Sequence, residues 1–271
     1  MTKTSSTGKS TRLAKLSGHG DGRFLIVPLD HSVSDGPVVP GGGFDRLVRD
    51  VVAGGADGIV VHKGRARAIT PELLTDCSLV VHLSASTGHG PDSHAKVLVG
   101  DVEEAIRLGA DAVSVHVNIG SDTEAGQLAD LGAVAAACDR WGMPLLAMIY
   151  LRGPRVTDPY APEQLSHIVN IAADLGVDIV KTVLASPAER MAEVVENSPL
   201  PVIVAGGGDG LVSLTDFAVS ALSAGCRGLA VGRRVFGSPN PRATVRGLAE
   251  IIHGSDRPLV STPSSRMAGA L

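Results

Sequence analysis

A glycine-led strand pattern occurs four times in this chain of 271 residues and constrains its fold more than any other feature. The copies begin at Gly55, Gly109, Gly176 and Gly225 and read GADGIVVH, GADAVSVH, GVDIVKTV and GCRGLAVG. Each copy has the form of a helix end, a glycine-containing turn and a buried strand. The repeat therefore predicts successive strand and helix units around a parallel sheet.

One column of this repeat contains a lysine among small or apolar residues. Aligned on the glycine, Lys181 falls in the column of Val60, Ser114 and Ala230, and the columns on either side of these three are apolar. Side chains alternate across a strand, so we expect the flanking columns to pack against helices and the Lys181 column to face the centre of the sheet. A buried ammonium is unfavourable unless it is paired or neutralised, which makes Lys181 the first functional candidate.

Eight strand-then-helix units with short links predict a closed (β/α)8 TIM barrel, an α/β fold. We expect a single domain over residues 1–271, with a flexible tail at residues 1–11. An open doubly wound sheet is the alternative, but no Gly-x-Gly-x-x-Gly turn follows the first strand. The predicted strands are Phe24–Asp30, Gly58–His62, Leu79–Leu83, Ala112–Val117, Pro144–Tyr150, Ile179–Val183, Val202–Ala205 and Gly228–Val231.

Composition excludes several classes of protein. Apolar residues make up 44% and charged residues 19%, which is typical of a globular chain, and the net charge of -4 argues against general nucleic-acid binding. No apolar run reaches membrane-spanning length, and the basic N-terminal segment lacks the apolar run of a signal peptide. The widely spaced Cys77, Cys138 and Cys226 indicate reduced thiols. We expect a cytoplasmic protein with no membrane or nucleic-acid partner.

In a barrel of this kind the active site forms at the carboxyl ends of the strands. Polar residues concentrate there in this chain, which a purely structural sheet does not require. The residues selected by this position are Asp30, His31, His62, Lys63, His82, His116, Asn118, Tyr150, Arg152, Lys181, Gly206, Gly207, Gly208, Gly232 and Arg233.

A buried lysine is suited to imine formation with a ketone or aldehyde. Burial favours the neutral amine that attacks the carbonyl, and the iminium then stabilises a carbanion while a C–C bond forms or breaks. The reaction also needs a proton shuttle, for which Tyr150 and Asp30 are candidates. The alternative is a structural ion pair inside the barrel, for example between Lys181 and Asp30.

The last two predicted strands end in glycine-rich turns, at residues 205–210 and 230–234. Glycine lets backbone amides approach an anion, and arginine adds a charged fork. These loops form a frequent phosphate site in this fold. Gly206, Gly207, Gly232 and Arg233 are therefore predicted to bind phosphate.

Two competing interpretations stay open on the residues alone. His62, His82 and His116 suggest a metal-dependent aldolase or isomerase, although no close-spaced pair of ligands supports it. A barrel that binds phosphate without turnover is the other alternative.

Several motifs resemble the archaeal-type class I aldolases, a family that includes fructose-bisphosphate aldolase and 2-amino-3,7-dideoxy-D-threo-hept-6-ulosonate synthase. The resemblance runs from about residue 11 to residue 253. The likeness to the heptulosonate synthase branch lies in HVNIGSD and WGMPLLAMIY-x-RGP. The motifs are IVPLDHSVSDGP (26–37), VVHKGRAR (60–67), HLSAST (82–87), EEAIRLGADAVSVHVNIGSD (103–122), WGMPLLAMIYLRGP (141–154), LGVDIVKT (175–182), VIVAGGG (202–208) and GLAVGRRVF (228–236).

The resemblance implies a Schiff-base lysine at Lys181, a tyrosine acid/base at Tyr150 and an aspartate at Asp30. It places the phosphate of one substrate at Gly206, Gly207, Gly232 and Arg233. The candidates to bind the second substrate, an aldehyde that accepts the new C–C bond, are His31, Lys63, His116 and Arg152. Leu151, residues 84–92 and the Gly208-Asp209-Gly210 stretch depart from the family pattern. Loops at strand ends set specificity, so these departures bear on the substrates.

The resemblance further implies a reaction without metal or other cofactor. A phosphorylated keto donor, either dihydroxyacetone phosphate or a deoxy-ketofructose phosphate, would be joined to an aldehyde such as L-aspartate semialdehyde. The product would be an amino-heptulosonate-type precursor of aromatic amino acids or of aminohydroxybenzoate. Fructose-bisphosphate aldolase activity is the alternative within the family. A homo-oligomer is also expected, because the family often forms decamers.

Overall fold

A computed structural model describes residues 6–206 and 212–254, and within these residues eight parallel strands close into a barrel. The predicted (β/α)8 TIM barrel is thereby confirmed. The barrel strands are β1 (Phe24–Pro28), β2 (Gly58–Val61), β3 (Ser78–His82), β6 (Ala112–Ile119), β7 (Leu145–Leu151), β8 (Ile179–Thr182), β9 (Val202–Ala205) and β10 (Gly228–Ala230). Two short strands, β4 (Ser84–Ala85) and β5 (Val97–Leu98), form an antiparallel ribbon after β3.

The strands succeed one another around the barrel in chain order, and β10 pairs with β1 to close it. The helices are α1 (Thr7–Leu16), α2 (Phe44–Gly54), α3 (Lys63–Ala66), α4 (Val102–Arg107), α5 (Glu124–Trp141), α6 (Pro162–Asp174), α7 (Met191–Glu196), α8 (Leu214–Ser223), α9 (Arg233–Phe236) and α10 (Pro241–His253). Short 3-10 helices occupy His31–Val33, Pro71–Leu74 and Ala188–Arg190. No helix among the described residues is long and apolar enough to cross a membrane.

The repeat glycines share one backbone conformation. Gly55, Gly109, Gly176 and Gly225 have φ angles of 101°, 77°, 88° and 89°. This left-handed region is accessible to glycine without the steric cost that a Cβ imposes. The glycine therefore reverses the chain from each helix into the next strand, which explains why the repeat begins with it.

The columns of the repeat face the directions that the sequence predicts. Val60 and Ala230 belong to the small apolar cluster inside the barrel, together with Met148, Ile179 and Ile203. The flanking residues belong to the larger core between the strands and the helices; they are Ile59, Val61, Val113, Val115, Leu229 and Val231. Barrel closure thus puts the column of Lys181 inside.

The aspartate of the repeat joins neighbouring strands at their amino-terminal ends, which form the lower end of the barrel. Asp57 accepts a hydrogen bond from the Leu25 amide at 2.6 Å. In the same way Asp111 accepts from Leu79, and Asp178 from Leu145. Each aspartate precedes one strand and holds the first amides of the strand before it, so that the sequence repeat sets the strand register.

Helix α1 closes the lower end of the barrel. Lys9 Nζ lies 3.0 Å from Asp178 Oδ2, and Lys15 Nζ lies 2.9 Å from Asp111 Oδ2. Leu16 is buried and joins the cluster inside the barrel. The structure therefore differs from the predicted tail over residues 7–11, which are helical because the repeat aspartates provide partners for α1. Residues 1–5 lie outside the described residues.

Asp57 also joins the end of α10 to the barrel. His253 Nε2 lies 3.0 Å from Asp57 Oδ2, and its Nδ1 lies 2.9 Å from Asp21 Oδ2. The ring of His19 stacks on His253 with centroids 3.9 Å apart. Burial acts to lower the pKa of His253, but the hydrogen bonds with Asp57 and Asp21 outweigh it, and the pKa is raised above 6.5.

Because the pKa of His253 is raised, we expect the free energy of unfolding to depend on pH. The protonated His253 contributes fully below pH 6.5, and its contribution is lost as pH rises through the folded-state pKa. We expect His253→Gln to lower the free energy of unfolding by about 2 kcal/mol near pH 6 and by less near pH 9. Urea unfolding at both pH values measures this, with the exposed His167→Gln as control. An equal loss at both pH values would contradict the prediction.

Candidate active site

A cavity of about 460 Å³ opens at the carboxyl ends of the barrel strands. It brings together most of the residues that the sequence selects. The polar residues that line it include Asp30, His31, His62, His82, His116, Tyr150, Arg152, Lys181, Arg233 and, from strand β4 and the loops, Ser84, Ser34, Asp35, Ser86, His94 and Lys96. The backbone of Gly232 also reaches the cavity wall.

Lys181 projects from β8 into the floor of this cavity and is only 7% exposed. Its strand neighbours in register are Met148 on β7 and Ile203 on β9, both apolar. The Nζ atom makes a weak hydrogen bond with Met148 Sδ at 3.7 Å. Among the described residues it makes no ion pair with a carboxylate, so a structural ion pair with Asp30 is not present.

Asp30 follows β1 and faces the interior among histidines. Its carboxylate oxygens lie 3.4 Å from His31 Nδ1 and 3.8 Å from His82 Nε2. Burial acts to raise the pKa of Asp30, but its electrostatic interactions with His82, His31 and Lys181 outweigh burial and lower that pKa. Asp30 is therefore ionised at neutral pH and places a negative charge near the Lys181 amine.

The histidines around Asp30 are held in the neutral form. His82 lies in the wall of the barrel, with its Nδ1 2.8 Å from Ser114 Oγ. Burial lowers the pKa of His82 to about 4, and burial also lowers the pKa values of His31 and His62. At neutral pH these rings therefore serve as hydrogen-bonding groups without adding positive charge.

The predicted alternative of a metal site at His62, His82 and His116 has no support in the geometry. In the part of the chain that the structure describes, ligand atoms converge as a metal would require at His19, Asp57 and His253. That group lies at the opposite end of the barrel and holds α10. The histidines of the cavity do not form such a group.

Tyr150 projects from β7 two residues beyond Met148, the register partner of Lys181. Alternation places Tyr150 on the same inward face, about 7 Å further toward the mouth. Its ring centroid lies 5.0 Å from that of His116, and Arg152 Cζ lies 4.4 Å from the Tyr150 ring centroid. Burial lowers the pKa of His116 well below its usual value, and the charges of Lys96 and Arg152 lower it further.

The glycine turn after β10 reaches the cavity, whereas the turn after β9 is only partly described. A Cβ on Gly232 would lie 2.6 Å from Pro28 O and 2.7 Å from His31 Cε1, so only glycine fits between β1 and the cavity. The Gly206 amide donates to Ala230 O at 3.0 Å, and Gly206 is not part of the cavity wall. Gly206 thus serves strand packing, and Gly207 lies outside the described residues.

Lys63 is not in the cavity, contrary to the sequence-based expectation. Helix α3 begins at this residue, immediately after His62, and breaks the alternation of the strand. The Nζ atom instead lies 2.9 Å from Glu104 Oε2 on α4. Lys63 therefore joins two segments outside the barrel mouth.

Sequence reasoning does not select Lys96, Ser86 or His94, although all three line the cavity. They belong to the loop around the β4–β5 ribbon, where no strand periodicity marks which side chains face inward. The departure of residues 84–92 from the family pattern is the sequence signal that points to this loop.

Comparison with known proteins finds related aldolases and synthases. The sequence profile of DeoC/LacD family aldolases matches residues 24–238. Over 265 residues the chain is 48% identical to 2-amino-4,5-dihydroxy-6-oxo-7-(phosphonooxy)heptanoate synthase of Streptomyces griseus, covering 97% of each chain. It is 39% identical to 2-amino-3,7-dideoxy-D-threo-hept-6-ulosonate synthase of Halobacterium salinarum, covering 93% of this chain and 94% of the relative.

A solved archaeal fructose-1,6-bisphosphate aldolase, with its catalytic lysine covalently bound to the carbinolamine intermediate of its substrate, has the same fold. The TM-score is 0.82 at 24% identity, covering 90% of this chain and 99% of the aldolase. Its likeness supports the closed barrel described above.

The tight fit around Gly232 predicts a sharp response to a single methyl group. Gly232→Ala brings a Cβ against the backbone oxygen of Pro28, which cannot move without disturbing β1. We expect the free energy of unfolding to fall by roughly 1–3 kcal/mol. The control is Gly64→Ala in α3, where a Cβ meets no atom within 4 Å. Urea unfolding of both variants tests this, and equal stabilities would refute the steric argument.

Proposed function

We propose that this chain, which belongs to the DeoC/LacD family of aldolases, joins dihydroxyacetone phosphate to L-aspartate semialdehyde through an imine on Lys181. The observation that carries the proposal is a buried amine without an ion pair, on the floor of a cavity that Asp30 and Tyr150 also line. No metal or organic cofactor takes part in this reaction. The homo-oligomeric state and cytoplasmic location stay predictions.

The substrates follow from the product that the Streptomyces griseus relative is named for. A 2-amino-4,5-dihydroxy-6-oxo-7-phosphonooxy heptanoate is a β-hydroxy ketone. Reversing the aldol at its C4–C5 bond yields dihydroxyacetone phosphate and aspartate semialdehyde. The identity of 48% over nearly the whole chain supports the same substrates here.

Lys181 begins the reaction by adding its neutral amine to the donor carbonyl carbon. The carbinolamine loses its hydroxyl as water, and a protonated imine remains. Asp30 is ionised and lies in the same cavity, so it stabilises this cation and assists the proton transfers that release water.

Tyr150 then moves the proton at the donor carbon that becomes nucleophilic. Removal of this proton converts the iminium into an enamine, whose carbon attacks the aldehyde. The aldehyde oxygen takes a proton and becomes the new hydroxyl group. Water finally hydrolyses the product iminium, which restores the Lys181 amine and releases the product ketone.

The donor phosphate is proposed to bind at the turn after β10. Gly232 keeps the backbone close to the cavity, and Arg233 lies at its wall. His31 lies beside them and can donate to a phosphate oxygen, while burial holds its pKa below the usual value. The imidazole and the guanidinium both donate hydrogen bonds to a phosphate dianion, and only the guanidinium adds a positive charge. Gly207 is part of the same proposal, on its sequence position alone.

Borohydride trapping tests the covalent step. We expect dihydroxyacetone phosphate plus borohydride to add a reduced adduct to Lys181, and Lys181→Ala to lose both the adduct and roughly 10⁴-fold or more of turnover. The variant should keep its thermal midpoint, because a buried amine without an ion pair does not stabilise the fold. Peptide mass mapping locates the adduct. An adduct elsewhere, or substantial turnover by Lys181→Ala, would reject the mechanism.

The same assay separates the related activities. Mass spectrometry of the product with L-aspartate semialdehyde should show a seven-carbon amino acid that retains phosphate. A product without phosphate would indicate the transaldol reaction, and fructose 1,6-bisphosphate from glyceraldehyde 3-phosphate would indicate the alternative aldolase.

Tyr150→Phe separates imine formation from proton transfer. Loss of the phenol should slow turnover by roughly 10²–10⁴-fold, because general acid–base catalysis contributes that much. Trapping of the donor on Lys181 should persist, since the amine itself is unchanged. Rapid-quench turnover and adduct yield are measured on the same preparation. If trapping disappears together with turnover, Tyr150 acts in imine formation instead.

A further inference from the structure

The loop after β3 forms a strap across one side of the barrel mouth. The strap, defined as residues 86–96, leaves β4 and returns through β5, which pairs with β4. The His94 carbonyl accepts hydrogen bonds from Asn118 Nδ2 at 2.9 Å and from Gln127 Nε2 at 2.8 Å, and both amide side chains are buried. These anchors on β6 and α5 hold the strap in a defined position above the cavity.

Lys96 lies at the end of the strap and lines the cavity. Its Nζ donates a hydrogen bond to Ser86 Oγ across the strap. Among the described residues Lys96 makes no ion pair, whereas Lys9, Lys15 and Lys63 each pair with a carboxylate. Burial lowers the pKa of Lys96, and the charge of Arg152 lowers it further.

Arg152 presents a second cation to the same region. It follows β7, its backbone amide donates to Ile119 O at 2.9 Å, and its guanidinium lies over the Tyr150 ring. Within the described residues it too lacks a carboxylate partner. Lys96 and Arg152 both line the cavity, and both charges lower the pKa of His116, whose ring lies beside that of Tyr150.

These cations lie across the mouth from the proposed phosphate site. In the closed strand order β6 is opposite β10, and β7 is opposite β1. Arg233 follows β10, whereas the strap is anchored on β6 and Arg152 follows β7. Lys181 on β8 lies between the two cationic regions. A donor that spans from Arg233 to Lys181 therefore directs its reacting carbon toward Tyr150, Lys96 and Arg152.

We infer that Lys96 and Arg152 form a carboxylate subsite that orients the aldehyde acceptor, an inference that rests on the proposed function. An ammonium and a planar guanidinium supply donors for the two oxygens of a carboxylate. The anchored strap fixes the distance between that carboxylate and the imine. Lys96 thus determines which aldehydes react, while Arg233 and Gly232 select the phosphorylated donor.

An enzyme–substrate cycle tests this subsite. The interaction under test joins the carboxylate of the aldehyde to the ammonium group of Lys96. Replacing L-aspartate semialdehyde by 3-aminopropanal removes only the carboxylate, and Lys96→Met removes the ammonium group. We expect Lys96→Met to lower kcat/KM for L-aspartate semialdehyde by roughly 30-fold, mainly through KM. The rate with 3-aminopropanal should stay within about twofold, and Lys96→Arg should restore most of the lost activity.

Two controls accompany the cycle. Lys15→Met removes a lysine from the lower end of the barrel and should leave both acceptor rates unchanged. Borohydride trapping of dihydroxyacetone phosphate on Lys181, with the thermal midpoint, shows that Lys96→Met keeps its donor site and fold.

The outcomes distinguish the two proposals. An equal loss with both aldehydes, or no loss with either, overturns the carboxylate subsite while leaving the imine mechanism intact. The carboxylate subsite is also overturned if glyceraldehyde 3-phosphate is turned over faster than L-aspartate semialdehyde and this turnover depends on Lys96. That result would indicate a second phosphate site. Failure of wild-type protein to trap the donor on Lys181 rejects the proposed function itself, and the subsite with it.

Discussion

Closing parallel strands into a barrel places alternate side chains of every strand inside, and the chemistry of this protein depends on that alternation. The column that holds Val60 and Ala230 is apolar, and Lys181 enters the same interior beside Met148 and Ile203. An amine buried among such neighbours is unfavourable when charged, because the transfer from water is not offset by an ion pair. The barrel can hold this amine because Asp30 lies within electrostatic reach and the cavity opens above it.

Burial disfavours the charged forms of the groups around that amine, yet these groups reach different protonation states. Burial holds His82 neutral, with a pKa of about 4, whereas the electrostatic interactions of Asp30 with His82, His31 and Lys181 outweigh burial and lower its pKa, so Asp30 stays ionised. A carboxylate that remains charged and imidazoles that remain neutral provide separate hydrogen-bonding roles within one cavity. Under the proposed mechanism, positive charge then develops on Lys181 during imine formation without competition from charged histidines.

Sequence periodicity predicts the barrel because strand direction and register come from local repeats. The bounds of the predicted strands agree with the structure to within two residues. Asp30, Tyr150, Arg152 and Gly232 are selected because they follow or end barrel strands at their carboxyl ends, and they line one cavity. Lys63 is misplaced because helix α3 begins at that residue and ends the strand alternation. Lys96 is not selected because Asn118 and Gln127, distant in sequence, determine where the strap lies. The helical residues 7–11 likewise depend on Asp178, a long-range partner.

The charge distribution at the mouth argues for two anionic substrates. The chain as a whole has a net charge of -4, yet the described residues that line the cavity include Lys96, Arg152, Lys181 and Arg233 against Asp30 and Asp35. Such a local excess of positive charge raises the concentration of anions in the cleft and repels cations. Because the cations lie on opposite sides of Lys181, a single small anion could not neutralise both groups. A phosphorylated ketone and a carboxylate-bearing aldehyde would neutralise them together, with their reacting carbons meeting between Lys181 and Tyr150.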